Sequence, residues 1–592
     1  MSPSEEYGQR LRARESRVAH YEKIHIRLGN IRLLLAVLAA ALAWAAFRWH
    51  DLSPYWLILP AAVFVAVANY HSRILREREL ARRAAAFYKR GLARIEDRWI
   101  EFGETGERFN DPHHVYAADL DLFGKGSLFQ LLSTARTGMG EETLAQWLLS
   151  PSSVEEIRER HAAVSELREQ LDLREDLAVL GEDAGVGVDP GSLQKWAEAA
   201  KRMKPRWLRW LAPLLAILFL LSVAVWARWD IVTPLVVVVV IEAVITFRLR
   251  GRLEEVFGGT EEAFRHLDLF AAVLTRMEAH EFHSPRLQSL QRNLMSGPVP
   301  ASRAIASLRT LVSYIDSRHN LFVRIIDAPL MYSTQVAFAA ERWQQAYGLA
   351  TRTWLSAVGE IEALLSFANY SFEHPADPLP ELVRGPASFE GERIGHPLIA
   401  AATCIRNDIS IRGETRVLLL SGSNMSGKST QLRAVGLNVV LAMAGAPVRA
   451  RRLRLTLLQV GASIRINDSL QEGSSRFYAE ITRLRQIFDL AGAAPSLIFL
   501  LDELLQGTNS NDRRIGAEGV VRALVNRDAI GLVSTHDLAL TGIDVALDGR
   551  VRNVHFQDEI EGGKMKFDYV LRDGVVTKSN GLELMRSIGL EV

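Results

Sequence analysis

The stretch Arg416-Val417-Leu418-Leu419-Leu420-Ser421-Gly422-Ser423-Asn424-Met425-Ser426-Gly427-Lys428-Ser429-Thr430 decides how this chain is read. Arg416 to Leu420 is an apolar run that predicts a buried strand. Gly422 to Thr430 follows at once, and a helical stretch reaches Met443. Strand, glycine-bearing loop and helix in that order make a phosphate cradle. Glycines let the backbone wrap a phosphate, and successive N–H groups and the helix N-terminus supply positive potential. Lys428 is placed to reach β- and γ-phosphates and Ser429 to ligate Mg²⁺.

Two further strands support that reading. Leu497 to Leu501 is a buried run ending in Asp502-Glu503, which puts Asp502 beside the metal and Glu503 where it can polarise a water for attack on a γ-phosphate. Leu532-Val533-Ser534-Thr535-His536 ends in a histidine from which the ring can sense the same phosphate. Glu472 to Glu480 and Gln506 to Ser510 are polar, glycine-containing stretches without core periodicity and suit phosphate-side loops.

Taken together, these segments resemble the ATPase of the DNA mismatch-repair MutS family, a branch of the ABC-type ATPases. The loop with Asn424-Met425, the Gly473 to Glu480 signature, Asp502-Glu503 followed by Gly507-Thr508, Ser534-Thr535-His536-Asp537, and a tail from Val551 through Thr577 to Leu582 agree in order and spacing. A weaker likeness covers Ala118 to Leu167, through Arg136-Thr137-Gly138-Met139-Gly140 and Gln146 to Pro151. The resemblance implies ATP and Mg²⁺ as cofactors. It also implies a homodimer whose two composite sites each combine one subunit's Gly422 to Thr430 loop with the other's Ser475, with Asp468 the acidic residue ahead of that serine. Glu503, His536, Lys428 and Ser475 are the implied catalytic set, Ser429 and Asp502 the metal ligands, and Tyr569 the residue against adenine. Cys404 falls where the family often has an aromatic, and Ser423 where it has a proline.

The remainder of the 592 residues is bounded by composition. With 70 Lys and Arg against 69 Asp and Glu, the chain lacks the basic excess that announces a nucleic-acid binder as a whole, so such contacts must come from local patches. One cysteine, Cys404, excludes an internal disulfide and a cysteine-rich zinc site. The polar start, Met1 to Gln9, has no secretory-signal pattern. Four apolar runs form two pairs: about Leu33 to Phe47 with Tyr55 to Ala68, and about Trp210 to Ala227 with Ile231 to Phe247. Each pair predicts a transmembrane hairpin. Arginines and lysines crowd the outer flanks, while the connecting turns carry only Arg48 and Arg228 as full positive charges, which predicts both hairpins beginning and ending in the cytosol of a multi-pass cytoplasmic (inner) membrane protein. Glu242 either reaches interfacial water or faces another helix.

The expected fold class is therefore an α/β P-loop ABC-type ATPase domain (386–592) preceded by a mostly helical core and lever region and two membrane hairpins. The N-terminal segment with its hairpin (about 31–70) fills 1–100, a helical core-like region 101–200, the second hairpin 201–250, and a helical lever with linker 251–385. Breaks are expected at Ser150 to Ser153, His283-Ser284-Pro285 and Ser296-Gly297-Pro298, with Arg276, Arg318, Glu341, Arg342 and Glu360 on solvated helix faces and His374 to Pro386 as a linker. Phe102-Gly103-Glu104 has the F-x-E form of the family's mismatch wedge but no surrounding strand pattern, and it is read as coincidence. Two functions follow from the resemblance and its departures. One is a membrane-tethered, DNA-binding ATPase related to mismatch repair or recombination control, its mismatch specificity doubtful. The other is a dimeric ATPase that drives a conformational change in a membrane complex without nucleic acid.

Overall fold

The computed structural model describes residues 1–48, 53–187, 190–199, 203, 207–258, 267–318, 320–423, 425–465, 476–506, 509–547, 549–561 and 564–576. Two long helices come first: α1 (Pro3–Arg48) and α2 (Ile58–Ile95) lie against each other as a hairpin, tied by Arg78–Glu22 at 2.7 Å and Lys89–Glu15 at 2.9 Å. A compact helical region follows with α3 (Leu128–Leu132), α4 (Gly138–Leu149), α5 (Val154–Glu169), α6 (Leu171–Gly187) and α7 (Pro190–Ala197). Next come the pair α8 (Leu208–Trp229) and α9 (Thr233–Phe257), then α10 (Leu267–Glu278), α11 (Pro285–Leu294), α12 (Ala301–Ser317), α13 (Leu321–Leu330) and the 42-residue α14 (Tyr332–Glu373).

Local chemistry accounts for the breaks. Ser150 to Ser153 separates α4 from α5, and Ser153 and Glu156 form a reciprocal capping box that satisfies two N–H groups with no partner inside the helix. Pro285 opens α11 at its first turn, where a missing N–H costs nothing. Met331, at φ 46°, ends α13 and turns the chain into α14. Two acids expected on solvated faces lie inside instead. Glu341 is buried and accepts from the Met203 N–H at 2.7 Å, and Glu360 is buried and receives Arg286 at 2.5 Å. The periodicity of α14 conceals this because so much of its circumference is covered: Trp354, Ala357, Val358, Ile361 and Leu364 are all buried.

Three helices are long and apolar enough to cross a membrane by length and composition: Pro3–Ala46, Tyr55–Ile95 and Leu208–Trp229. The fourth expected span lies in α9, whose Glu242, Arg248 and Arg250 fall within one span length. Leu214, Ile217, Leu221, Val236, Val240 and Val244 are exposed on α8 and α9. Glu242 faces inward: it is 1% exposed, and neither carboxylate oxygen has a hydrogen-bond partner among the described residues.

The C-terminal part is mixed α/β. A four-stranded sheet runs β1-β5-β2-β3, from β1 (Glu381–Leu382), β2 (Phe389–Ile394), β3 (Asn407–Ile411) and β5 (Arg452–Leu455). The six-stranded sheet runs β10-β9-β4-β8-β7-β6, from β4 (Val417–Ser421), β6 (Leu458–Ser463), β7 (Ser496–Asp502), β8 (Ile530–Thr535), β9 (Val551–Glu561) and β10 (Lys564–Asp573). β4, β6, β7, β8 and β9 are parallel, and β10 adds an antiparallel edge. Every residue of β4 and β8 is buried, so their apolar runs lack the alternation of a half-exposed strand. α15 (Lys428–Ala444), α16 (Arg476–Leu490), α17 (Ser510–Val525) and α18 (Ile543–Ala546) complete the domain. The proline-rich run from His374 to Pro386 is more than a linker: it contains β1, and its Asp377 is buried between Arg449 and the Tyr370 hydroxyl.

Candidate nucleotide site

In a parallel sheet the loops after the strand C-termini gather on one edge, which makes that edge the natural place for a ligand. β4, β7 and β8 are neighbours there, and Ser421 pairs in register with Thr535 and Asp502 with Ser534. The turn from β4 to α15 needs a backbone that most residues avoid: Gly422 has φ 155°, Met425 φ 69° and Gly427 φ 101°. An added Cβ at Gly427 would also sit 3.0 Å from the Tyr569 ring, so that the ring would have to give way. Lys428 opens α15 buried, and its ammonium donates to the carbonyls of Gly422 (2.8 Å) and Ser423 (2.9 Å). Burial lowers its pKa, against the opposing pull of Glu503 and Asp502. The hydroxyls of Ser423 and Ser426 are buried without protein partners among the described residues.

Across the loop, Asp502 accepts from the Ser534 hydroxyl. Glu503 follows at φ 49°, its N–H bonded to the Ser534 carbonyl at 3.2 Å. Its carboxylate lies 3.2 Å from His536 Nδ1 and receives the Gln506 amide. Glu480 of α16 is buried and accepts the Leu505 N–H at 2.5 Å, tying α16 to this turn. The structure thus brings Gly422, Ser423, Met425, Ser426, Gly427, Lys428, Ser429 and Thr430 to one edge with Asp502, Glu503 and His536. Asn424, Ser475, Asp468, Gly507, Thr508 and the tail from Thr577 lie outside the described residues. Asp119 of the helical region is buried and accepts the N–H groups of Ile464 and Arg465, both at 2.7 Å. Burial raises its pKa against those bonds. Asp121 pairs with Arg433 of α15 at 3.3 Å and with Arg465 at 2.5 Å.

A cavity of about 410 Å³ opens beside the loop. Residues 425 to 431 and Glu503 line it, together with Tyr569 and Cys404. Ile394, His396, Ile399, Ile405, Asn407 and Gln431 also line it, and sequence reasoning did not single these out as site residues. They arrive from β2, β3, the intervening turn and the buried face of α15, and only the sheet pairing unites them. The His396 imidazole accepts the Leu398 N–H through Nδ1, and burial pushes its pKa down to about 4. Thr430 is available beside Ser429 at the mouth of α15. Ser429 and Asp502 are the residues whose oxygens suit Mg²⁺, a hard cation that takes oxygen donors.

The structure is thus a mostly helical protein ending in a mixed α/β domain with a glycine-loop cavity at the carboxyl edge of its parallel strands. Residues 418–591 match the family model for MutS domain V, and residues 115–185 that for MutS domain III. Over these two regions the chain is similar to the MutS family. It is 33% identical over 253 residues to the DNA mismatch repair protein MutS of Geobacillus kaustophilus, covering 40% of this chain and 27% of that protein. It is also 33% identical over 285 residues to the DNA mismatch repair protein MutS 2 of Halobacterium salinarum, covering 46% and 30%. The chain thus spans under a third of the length of these relatives.

Proposed function

We propose that this chain binds and hydrolyses ATP with Mg²⁺ at the Gly422 to Thr430 loop, as a membrane-tethered homodimer that contacts DNA through phosphates. The observation that carries this reading is the joint placement of Lys428 under the loop and of Asp502, Glu503 and His536 opposite it, at the carboxyl ends of the adjoining strands β7 and β8. The loop N–H groups and Lys428 hold the phosphates, and Ser429 and Asp502 would hold Mg²⁺, which offsets charge on the β- and γ-phosphates. Glu503 accepts a proton from water, and His536 orients that carboxylate. Ser475 of a second subunit completes the site. The test is steady-state ATPase and ATP binding by the full chain in detergent. Lys428→Ala loses productive binding, whereas Glu503→Gln retains binding and loses hydrolysis by at least about 10²-fold. Hydrolysis by Glu503→Gln at the wild-type rate removes Glu503 from that role.

The apolar surfaces of the three long helices and of α9 support the tether, since exposed rows of this extent are rare on water-facing proteins. For DNA, Arg292, Arg303 and Arg309 are exposed, while Arg286 is engaged with Glu360 and Glu159. A second reading, an ATPase that moves its own membrane hairpins, is favoured by one contact. The end of α14, which leads into the α/β domain, is clasped by the first hairpin. Glu373 receives Arg94 through both oxygens (2.7 and 2.6 Å) and the Tyr7 hydroxyl at 3.3 Å, and Tyr7 stacks on Phe372.

A further inference from the structure

β6 is an edge strand of the six-stranded sheet and lies beside β7, whose end carries Asp502. An edge strand leaves a row of N–H and C=O groups that must find partners outside the sheet. A short stretch of the helical region meets this edge. The Val115 carbonyl accepts the Ala462 N–H at 3.0 Å, and one oxygen of Asp119, Oδ1, accepts both the Ile464 and the Arg465 N–H at 2.7 Å. Asp119 is 2% exposed. A buried carboxylate is costly unless it is hydrogen-bonded, and one whose single oxygen receives two consecutive N–H groups fixes the direction of the chain at that point. β6 and β7 pair in parallel register up to Ser463 and Leu501, so Ile464 and Asp502 stand one step beyond the last pair. The bracket therefore closes the end of β6 at the level of Asp502.

The same stretch reaches two more elements of the α/β domain. Asp121 pairs with Arg465 and with Arg433, which lies on α15 beyond Lys428, and the charges of Asp119 and Asp502 both act on Arg433. Arg483 of α16 donates to the carbonyls of His114 (2.7 Å) and Pro112 (3.1 Å), and the same helix carries Glu480, which holds the Leu505 N–H just past Glu503. A shift of the helical region thus bears on β6, α15 and α16 together, through contacts that converge on Asp502 and Glu503. We propose that Asp119 is a positioning residue for hydrolysis at the nucleotide site: it holds the end of β6 beside the strand that carries Asp502, so that the rate answers to the placement of the helical region. This rests on the nucleotide reading of the site given above. Asp119 touches neither nucleotide nor metal in this scheme and acts only through the backbone it holds.

The experiment compares the full chain in detergent as wild type, Asp119→Ala and Asp119→Asn, reading kcat for ATP with Mg²⁺, the Kd for ATP, and hydrogen exchange at the Ile464 and Arg465 amides. Asp119→Ala removes the acceptor. Asp119→Asn removes the charge but keeps an Oδ1 that can accept both N–H groups. Asp119→Ala is expected to raise exchange at both amides and to lower kcat about tenfold or more, with Kd within about twofold of wild type. Asp119→Asn is expected to restore kcat to within about threefold. A kcat within twofold of wild type in Asp119→Ala overturns the proposal. So does a loss as large in Asp119→Asn as in Asp119→Ala, which assigns the effect to charge, and so does a matching loss of ATP affinity, which assigns it to general loosening. Should Asp119→Ala not fold, Asp119→Ser, whose oxygen is too short to reach both groups, is held to the same outcomes. Wild-type amides at Ile464 and Arg465 that exchange as fast as unbonded ones overturn the bracket without any variant. Wild-type protein with both amides protected but no ATP hydrolysis overturns the nucleotide reading instead, a result distinct from the others.

Discussion

Replacing Arg94 by Met tests the joint between the N-terminal hairpin and the end of α14. The Glu373 side chain is fully buried and that of Arg94 is 11% exposed, so the two charges meet largely out of water. Without Arg94 the carboxylate keeps, among the described residues, only the Tyr7 hydroxyl at 3.3 Å. Stranding one member of a buried pair costs about 3–5 kcal/mol, whereas neutralising both members costs far less. Arg94→Met should therefore open the joint, and adding Glu373→Gln should restore much of what was lost, giving a coupling energy well above the few tenths expected of independent sites. Hydrogen exchange of the backbone amides around Tyr7 and from Phe87 to Ala93 reads the opening locally. Protection should fall by about 10²- to 10³-fold in Arg94→Met and recover at least tenfold in the double variant. A loss below about tenfold, or ~1.4 kcal/mol, would refute the view that this pair holds the hairpin to α14.

Burial pushes both His396 and His161 down to about 4, so each stays neutral in the folded protein while the unfolded chain takes up protons below about 6.5. Their contribution is fully present above that pH and is lost as pH falls toward 4, on the order of 3 kcal/mol each; urea midpoints flat from pH 7 to 4 would contradict it. Mixing inactive Lys428→Ala with inactive Ser475→Arg protein should restore some ATPase through one intact composite site, and verified mixed dimers without activity would count against sharing. In a Cys404→Ser background, a cysteine at Ser133 should resist membrane-impermeant labels in intact cells, and strong labelling would overturn the cytosolic placement. DNA binding should weaken steeply with salt and prefer mismatched over matched duplex by less than about tenfold; a larger preference would reveal a base reader outside the phosphate contacts.

What the sequence made legible is what lies within one contiguous segment. The loop after β4 was readable because strand, glycines, Lys428 and helix follow one another, and the Ser150 to Ser153 break because a capping box needs only four residues. Asn407 and Gln431 were not readable as a bonded pair: they stand 24 positions apart on different elements, and Asn407 is held in turn by the backbone of a third strand. Long-range acids were misjudged for the same reason. Glu341 and Glu360 have charged, helix-forming character in sequence, yet a backbone N–H and an arginine from distant segments hold them inside. β1 escaped notice because two residues have no periodicity, and only pairing with β5 defines them.

The two ends of α14 are anchored to different bodies. At one end Met331 is buried with Ala212 and Leu215 of the α8 and α9 pair, and at the other Glu373 is held by Arg94 and Tyr7 of the first hairpin. Forty-two residues of helix make a beam about 63 Å long between them. Swung about Met331 through only about 5°, such a beam carries its far end some 5 Å sideways, nearly the pitch of one helical turn. The clasp at Glu373 would travel with it, so a small tilt at Met331 would become a displacement of several ångströms beside the α/β domain and a shear between the two helical pairs.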